Sequence, residues 1–242
     1  EALDILPAHL RGTDTMLRAC TQLGHACFEQ QKLREARKAY AQYFSWLDDS
    51  TQVDVLACRR YGTLMLSSKE DLKTAQQISL YWCRAEPSVE SWLFCGIVFE
   101  KQNQNATAMR VLRCANDLDN RHPTVWGHLA LLCLRKGDVP LARKALTQAL
   151  RLGLGDGSLL EEMAKESLRL GRMDLAEFLV EKALECKESI QSHEILAKIL
   201  LYKGQMDRSR AEFESVEALA KHKGESFERR EPFASVLAAA HT

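Results

Sequence analysis

The chain has 242 residues, and its 33 basic and 33 acidic side chains give a formal net charge of zero at pH 7. A neutral chain has no net field that would attract nucleic acid or an anionic membrane, so we expect neither as a partner. Hydrophobic residues make up 46% of the chain, but no apolar run approaches the ~20 residues that a membrane-spanning helix needs.

The first stretch of the chain, residues 1–16, contains Pro7 and Gly12, which would interrupt any long helix. We therefore expect an N-terminal segment here that is either a short helix or the tail of an earlier unit. It starts at Glu1 and shows no basic start followed by an apolar core, so the sequence indicates no signal peptide.

Three helical units are predicted to follow, at residues 17–50, 55–88 and 89–122. In each unit, small and large apolar residues recur at spacings that place them on one face of a helix. Gly24 and Gly62 are 38 residues apart, so the acidic stretch between the first two units predicts a longer loop or an extended helix. The second helix of the second unit has the least regular pattern.

The next unit, residues 123–156, has the clearest pattern. Gly137 can take the left-handed conformation that ends a helix, and Asp138 can accept hydrogen bonds from the free N–H groups of the next helix. Pro140 is tolerated in that first turn. The predicted core positions of this unit are Trp126, Leu129, Ala130, Cys133, Ala142, Leu146 and Ala149.

Two further units are predicted at residues 157–189 and 190–223. Ser158 and Glu161 form a Ser-x-x-Glu pair, which predicts a reciprocal cap at the start of the fifth unit's first helix. The remaining residues, 224–242, contain a charged stretch followed by a proline-started apolar run. This pattern predicts a short C-terminal helix that covers the last hairpin.

The units repeat with a period close to 34 residues. A shift of 34 residues places Gly137 on Gly171 and Ala142 on Ala176. This period, with its pattern of large and small residues, resembles the tetratricopeptide (TPR) family. The resemblance implies an all-α fold, a right-handed TPR superhelix (α-solenoid) of about six helix-turn-helix repeats with a C-terminal capping helix.

The resemblance also implies a binding surface, because the first helices of TPR units line a concave groove. Here that groove is expected to be apolar at its middle and cationic toward one end, and an exposed apolar patch commonly marks a partner site. Two alternatives are that neighbouring segments cover this surface, or that the convex face of second helices binds instead. The predicted protein-binding groove residues are Arg59, Arg60, Thr63, Leu93, Phe94, Ile97, Lys101, His128, Leu131, Arg135, Glu161, Glu162 and Lys165.

No motif in the sequence indicates catalysis, a cofactor or a metal site. Gly153, Gly155 and Gly157 superficially resemble a phosphate-binding loop, but such loops follow a strand, and this one joins two predicted helices. No Cys or His pair has the spacing of a zinc site. The eight cysteines are expected to be reduced thiols. Five of them occupy predicted core positions: Cys20, Cys27, Cys58, Cys95 and Cys133.

The sequence therefore predicts a non-catalytic scaffold that holds a helix or extended segment of a partner protein within a larger assembly. TPR arrays of this kind recur in cytoskeletal, ciliary and transport assemblies, and the chain resembles an axonemal or ciliary TPR component. A cytoplasmic location, in a cytoskeletal or ciliary assembly, follows from this interpretation. The alternative is a TPR accessory region of a longer polypeptide whose activity lies elsewhere.

Overall fold

The computed structural model describes residues 13–47, 52–66 and 70–223, and every regular element within these ranges is an α-helix. The prediction of an all-α fold is confirmed for this part of the chain. The chain divides into two compact units, which meet in the sequence between Arg121 and His122. Within the described residues, each unit contains three helix hairpins. In each hairpin we call the earlier helix the first helix and the later one the second helix.

The first unit is built from helices α1 to α6. α1 packs against α2, α3 against α4, and α5 against α6, while α2 contacts α3 and α4 contacts α5. The helices are α1 (Asp14–Glu29), α2 (Leu33–Ser45), α3 (Val55–Met65), α4 (Leu72–Ala85), α5 (Val89–Lys101) and α6 (Asn105–Leu118).

The second unit is built from helices α7 to α12. Its hairpins are α7 with α8, α9 with α10, and α11 with α12, and they are joined through α7 with α9 and α10 with α11. The helices are α7 (Pro123–Lys136), α8 (Val139–Arg151), α9 (Gly157–Arg169), α10 (Met173–Cys186), α11 (Ile190–Tyr202) and α12 (Met206–Lys223).

The predicted period is visible in the helix starts. From α3 onward, successive first helices begin 34, 34, 34 and 33 residues apart. α1 begins at Asp14, three residues before the predicted start of the first repeat. α2 ends at Ser45, so the extended-helix interpretation of the stretch that follows is wrong. Residues 1–12 and the predicted capping helix at 224–242 lie outside the described residues.

The helix ends show why the hairpins form where they do. Gly137 has φ of 85°, and the Asp138 carboxylate accepts a hydrogen bond of 3.1 Å from the Leu141 N–H, as the sequence predicted. The predicted Ser158–Glu161 cap is wrong. Asp156 instead accepts the bond from the Leu159 N–H at 3.1 Å, because the helix begins immediately after this aspartate.

The cores of the two units differ in composition. The first unit buries an aromatic cluster that includes Tyr40, Tyr61, Trp82 and Phe94. In the second unit the largest fully buried side chains are aliphatic or Met: Leu131, Leu132, Leu134, Leu160, Met163, Leu179, Ile199 and Leu200.

Most of the predicted core positions are buried. Ala142, Leu146 and Ala149 are at most 5% exposed, which confirms their core positions. Trp126 is partly exposed, so it contributes less to the core than the sequence pattern suggested. The five cysteines placed in the core by the sequence pattern are all buried.

Candidate protein-binding surfaces

In the first unit, Arg60 on α3 is held in place by α1. Its Nη2 donates to Glu29 Oε1 at 2.9 Å, and its Nη1 donates to the His25 carbonyl oxygen at 3.3 Å. The guanidinium carbon also lies 5.1 Å from the centre of the Phe28 ring. The hydrogen bond to Glu29 raises the pKa of Arg60 above its usual value. Arg60 therefore joins α1 to α3, and its charge is already paired.

A polar network beneath Arg60 fixes α3 on the first hairpin. His25 Nδ1 is 2.7 Å from the Tyr40 hydroxyl, and His25 Nε2 is 3.2 Å from Asp54 Oδ2. Asp54 caps α3 by accepting from the Ala57 N–H at 2.9 Å, while its own N–H donates to the Tyr43 hydroxyl at 2.8 Å. Sequence reasoning missed this network, although an Asp directly before a helix is a signal for a cap.

Arg59 and Lys101 are two exposed cations of the first unit's predicted groove. The Arg59 guanidinium carbon lies 5.7 Å from the centre of the Trp82 ring, and both cations are exposed. Neither forms an ion pair with any residue in the described ranges. Thr63 is also exposed, and its hydroxyl donates to the Arg59 carbonyl oxygen at 2.8 Å.

Partly exposed apolar side chains accompany these cations. Leu93 and Ile97 lie one turn apart on α5, and Leu56 on α3 is 43% exposed. We name this set the α3/α5 surface; its members are Leu56, Arg59, Thr63, Leu93, Ile97 and Lys101.

Phe94 does not belong to the α3/α5 surface, which corrects its predicted position. Its side chain is 8% exposed, and its ring centre lies 5.6 Å from that of Trp82. The reason is the small residue at position 62, which leaves room for the ring against α3. Phe94 therefore contributes to the core instead of offering an anchor to a partner.

In the second unit, two predicted groove residues on α7 are also buried. His128 is 7% exposed and Leu131 is fully buried, so neither presents its side chain to a partner. Arg135 is occupied by carboxylates: its Nη2 donates to Glu162 Oε2 at 3.2 Å, and its Nε is 3.9 Å from Glu166 Oε1. The positive charge of Arg135 is therefore balanced by carboxylates within the unit.

Glu161 joins two first helices instead of facing a groove. It is 8% exposed and accepts hydrogen bonds from Ser189 and Ser192, the latter at 2.5 Å, at the start of α11. Lys165 is exposed one turn later on α9. Of the second unit's predicted groove residues, Lys165 and Glu162 keep accessible side chains, and the Glu162 side chain is 44% exposed.

Sequence reasoning gave little weight to the second helices of this unit, where a cleft lies between α8 and α10. The sequence signal for this cleft was Phe178, a large apolar residue that lies outside the buried face of α10 and is 40% exposed.

Among the described residues, no group of three or more His, Cys, Asp or Glu is placed to hold a metal ion. No helix in the described ranges is both long enough and apolar enough to cross a membrane.

Comparison with known proteins gives a family match over most of the chain. The family described as "Cilia and flagella-associated protein 70 C-terminal domain" matches residues 4–231. The human cilia- and flagella-associated protein 70 is 31% identical over 140 residues, which cover 58% of this chain. The chain spans 12% of that relative's length.

Solved structures support the helical-repeat fold. A subunit in the crystal structure of the anaphase-promoting complex hetero-tetramer Cut9–Hcn1 has a TM-score of 0.70 at 14% identity, covering 96% of this chain and 44% of that chain. A tetratricopeptide repeat protein from Parabacteroides merdae has a TM-score of 0.66 at 16% identity, covering 95% and 86%. At these identities the likeness establishes a TPR-type fold and nothing about partners.

Proposed function

Because the chain belongs to the family of the cilia and flagella-associated protein 70 C-terminal domain, we propose that it is a non-catalytic protein-interaction module of a ciliary assembly. In this proposal the module holds a helix or extended segment of a partner protein. Its location is the cytoplasmic, cytoskeletal part of the cilium. The relatives' names support the ciliary location, and the TPR-type fold supports protein binding.

The observation that carries this proposal is the α3/α5 surface. It combines partly exposed Leu93 and Ile97 with Arg59 and Lys101, neither of which has an ion-pair partner within the described ranges. Apolar side chains supply most of the free energy of binding when they are desolvated, and charges at the rim mainly affect the association rate. The partner segment should therefore have an apolar face flanked by acidic residues.

This surface is smaller than the groove predicted from the sequence. Arg60 is not a member of it, because its guanidinium group is paired with Glu29 on α1. The side chains of Phe94, His128, Leu131 and Glu161 are buried. We therefore propose that binding in the first unit depends on α3 and α5.

Site-specific photo-crosslinking in the full-length ciliary protein tests the proposal. A photo-reactive residue at Ile97 should crosslink to one partner polypeptide, while the same residue at Leu80 on α4, which is 49% exposed, should not. Arg59→Glu combined with Lys101→Glu should reduce the yield from Ile97. Equal crosslinking from Ile97 and Leu80 would remove the support for the α3/α5 surface.

The second candidate is an accessory region of a longer polypeptide whose activity lies elsewhere. The observation in its favour is that the chain spans 12% of the human relative's length. If deleting this region from the full-length protein leaves its ciliary assembly and all partner contacts unchanged, this second candidate is preferred to the first.

A further inference from the structure

A cleft of about 690 Å³ lies between α8 and α10, the second helices of two consecutive hairpins in the second unit. Leu146 and Leu175 form its buried part, with 5% and 8% of their surfaces exposed. Leu150 and Phe178 line it with partly exposed side chains, and Phe178 is 40% exposed. The cleft is therefore lined mainly by apolar groups, and it has the volume of a typical ligand pocket, roughly 300–1,000 Å³.

The cleft follows α8 for about two turns. Arg143, Thr147 and Arg151 are spaced four residues apart along the lining, which corresponds to about 12 Å of helix rise. An apolar cleft that follows a helix for this distance matches the side chains that an amphipathic helix presents at i, i+3, i+4 and i+7.

The charges at the rim are unequal. Arg143 and Arg151 are both exposed, and neither forms an ion pair with a residue of the described ranges. Asp174 on the opposite side is paired with Lys203, whose Nζ lies 2.6 Å from Asp174 Oδ1. That hydrogen bond, with a smaller contribution from Arg143, lowers the pKa of Asp174. Lys203 Nζ also lies 2.6 Å from Glu177 Oε2, and Arg208 Nη1 lies 3.6 Å from Glu177 Oε1, so these two cations balance the two carboxylates. Arg143 and Arg151 therefore leave the rim with an excess of positive charge.

We propose that this cleft is a second docking site, which accepts an amphipathic helix of a partner protein with leucine- or phenylalanine-sized anchors and acidic flanks. The site goes beyond the α3/α5 surface, since it lies on second helices and uses different residues. Phe178 supplies the central apolar contact, and Arg143 with Arg151 attracts the acidic flanks. Exposed aromatic side chains that become desolvated on binding are common energetic centres of interfaces.

Helical-peptide display against the full chain tests this proposal. One library has about four helical turns, Leu or Phe at i, i+3, i+4 and i+7, and Glu at flanking positions; the matched library has Lys in place of Glu. The acidic library should yield binders and the basic library should not. Phe178→Ser should weaken the selected peptides about tenfold or more, whereas Leu80→Ser, at a comparably exposed leucine on α4, should not.

Charge reversal provides a second readout. Arg143→Glu with Arg151→Glu should slow association, while Arg113→Glu, at an exposed arginine on α6, should leave it unchanged. Ile97→Ser on the α3/α5 surface should also leave the affinity for these peptides unchanged. A wrong assignment of the cleft is therefore distinguishable from a wrong assignment of the α3/α5 surface.

Several outcomes would overturn the proposal. One is equal affinity of the selected peptides for the parent chain and for Phe178→Ser with an unchanged melting temperature. Another is equal or better enrichment of the basic library. A third is a dimer of the parent chain, seen by sedimentation, that the Phe178→Ser substitution dissociates. This result would assign the cleft to a second copy of the chain, and not to a helical partner.

Discussion

The ring of Phe94 packs directly against the backbone of Gly62. A Cβ atom added at position 62 would lie 2.5 Å from the ring's Cζ atom, which is closer than real Cβ contacts allow. Trp82 supports the ring from α4, with a distance of 5.6 Å between ring centres. The contact joins α3 to α5, so the position of the α3/α5 surface depends on it.

We therefore expect Gly62→Ala to destabilise the protein by about 1–3 kcal/mol, because the ring must move or its neighbours must be displaced. Phe94→Ala should cost about 3–5 kcal/mol through the cavity that it leaves. The double variant should cost less than the two single changes together, since removing the ring makes room for the new methyl group. Urea denaturation measures all three.

The matched control for this contact is Gly155→Ala. The nearest atom to a Cβ there is the Gly153 carbonyl oxygen at 4.0 Å, so the change should alter stability by less than about 0.5 kcal/mol. A denaturation midpoint for Gly62→Ala that equals the control would show that the Phe94 ring is not confined at this position.

The cap of α9 provides a second test. Asp156→Ala should cost about 0.5–2 kcal/mol, because the Leu159 N–H loses its acceptor at the helix start. Ser158→Ala should cost less, since the Ser158 hydroxyl donates to the Asp156 carboxylate and not to a backbone group of α9. Thermal unfolding of both variants compares the two caps. A larger loss for Ser158→Ala would restore the Ser-x-x-Glu cap that the sequence suggested.

Glu161 is expected to matter for stability more than its exposed neighbour. Glu161→Ala leaves the hydroxyls of Ser189 and Ser192 without their buried acceptor and should cost about 1–3 kcal/mol. The Glu162 side chain is 44% exposed and pairs with Arg135. Glu162→Ala should therefore cost about 0–1 kcal/mol of stability. Chemical denaturation measures the free energy of unfolding of both variants. Equal losses of stability would contradict a structural role for Glu161.

Thiol reactivity should divide the cysteines by burial. Burial raises the pKa of the Cys58 thiol to about 12, so at pH 8 its reactive thiolate is a minute fraction. Cys114 and Cys186 are exposed, and they should be alkylated first by iodoacetamide under native conditions. Peptide mass spectrometry over time measures the order. Early modification of Cys58 without loss of fold would show that α3 opens readily.

A larger residue at a close helix contact gives the last test. Ala142 is 2% exposed on α8, so Ala142→Leu should overpack the hairpin and cost about 1–3 kcal/mol. Lys144→Leu, at an exposed position of the same helix, should change stability by less than about 0.5 kcal/mol. Thermal unfolding measures the melting temperatures of both variants. A lower melting temperature for Lys144→Leu than for Ala142→Leu would contradict a close approach of the two helices at Ala142.

The repeat itself could be predicted from the sequence, since small residues at fixed spacing are the local condition for two helices to approach closely. Gly137 and Asp138 were sufficient to place one hairpin, because a left-handed glycine and an N-cap act within a few residues. The cap at Asp156 was assigned to Ser158 because two polar residues, separated by Gly157, compete for the same N–H groups, and local sequence does not rank them.

The surfaces could not be predicted to the same degree, because exposure depends on what packs above each residue. Repeat position alone placed Phe94 and Leu131 in a groove, whereas the tertiary packing buries both. The exposure of Phe178 likewise depends on the separation of α8 from α10. The amino-acid sequence thus determined the helical hairpins, whose signals are local, and only the tertiary structure decided which apolar side chains remain accessible, because that depends on contacts between residues distant in the chain.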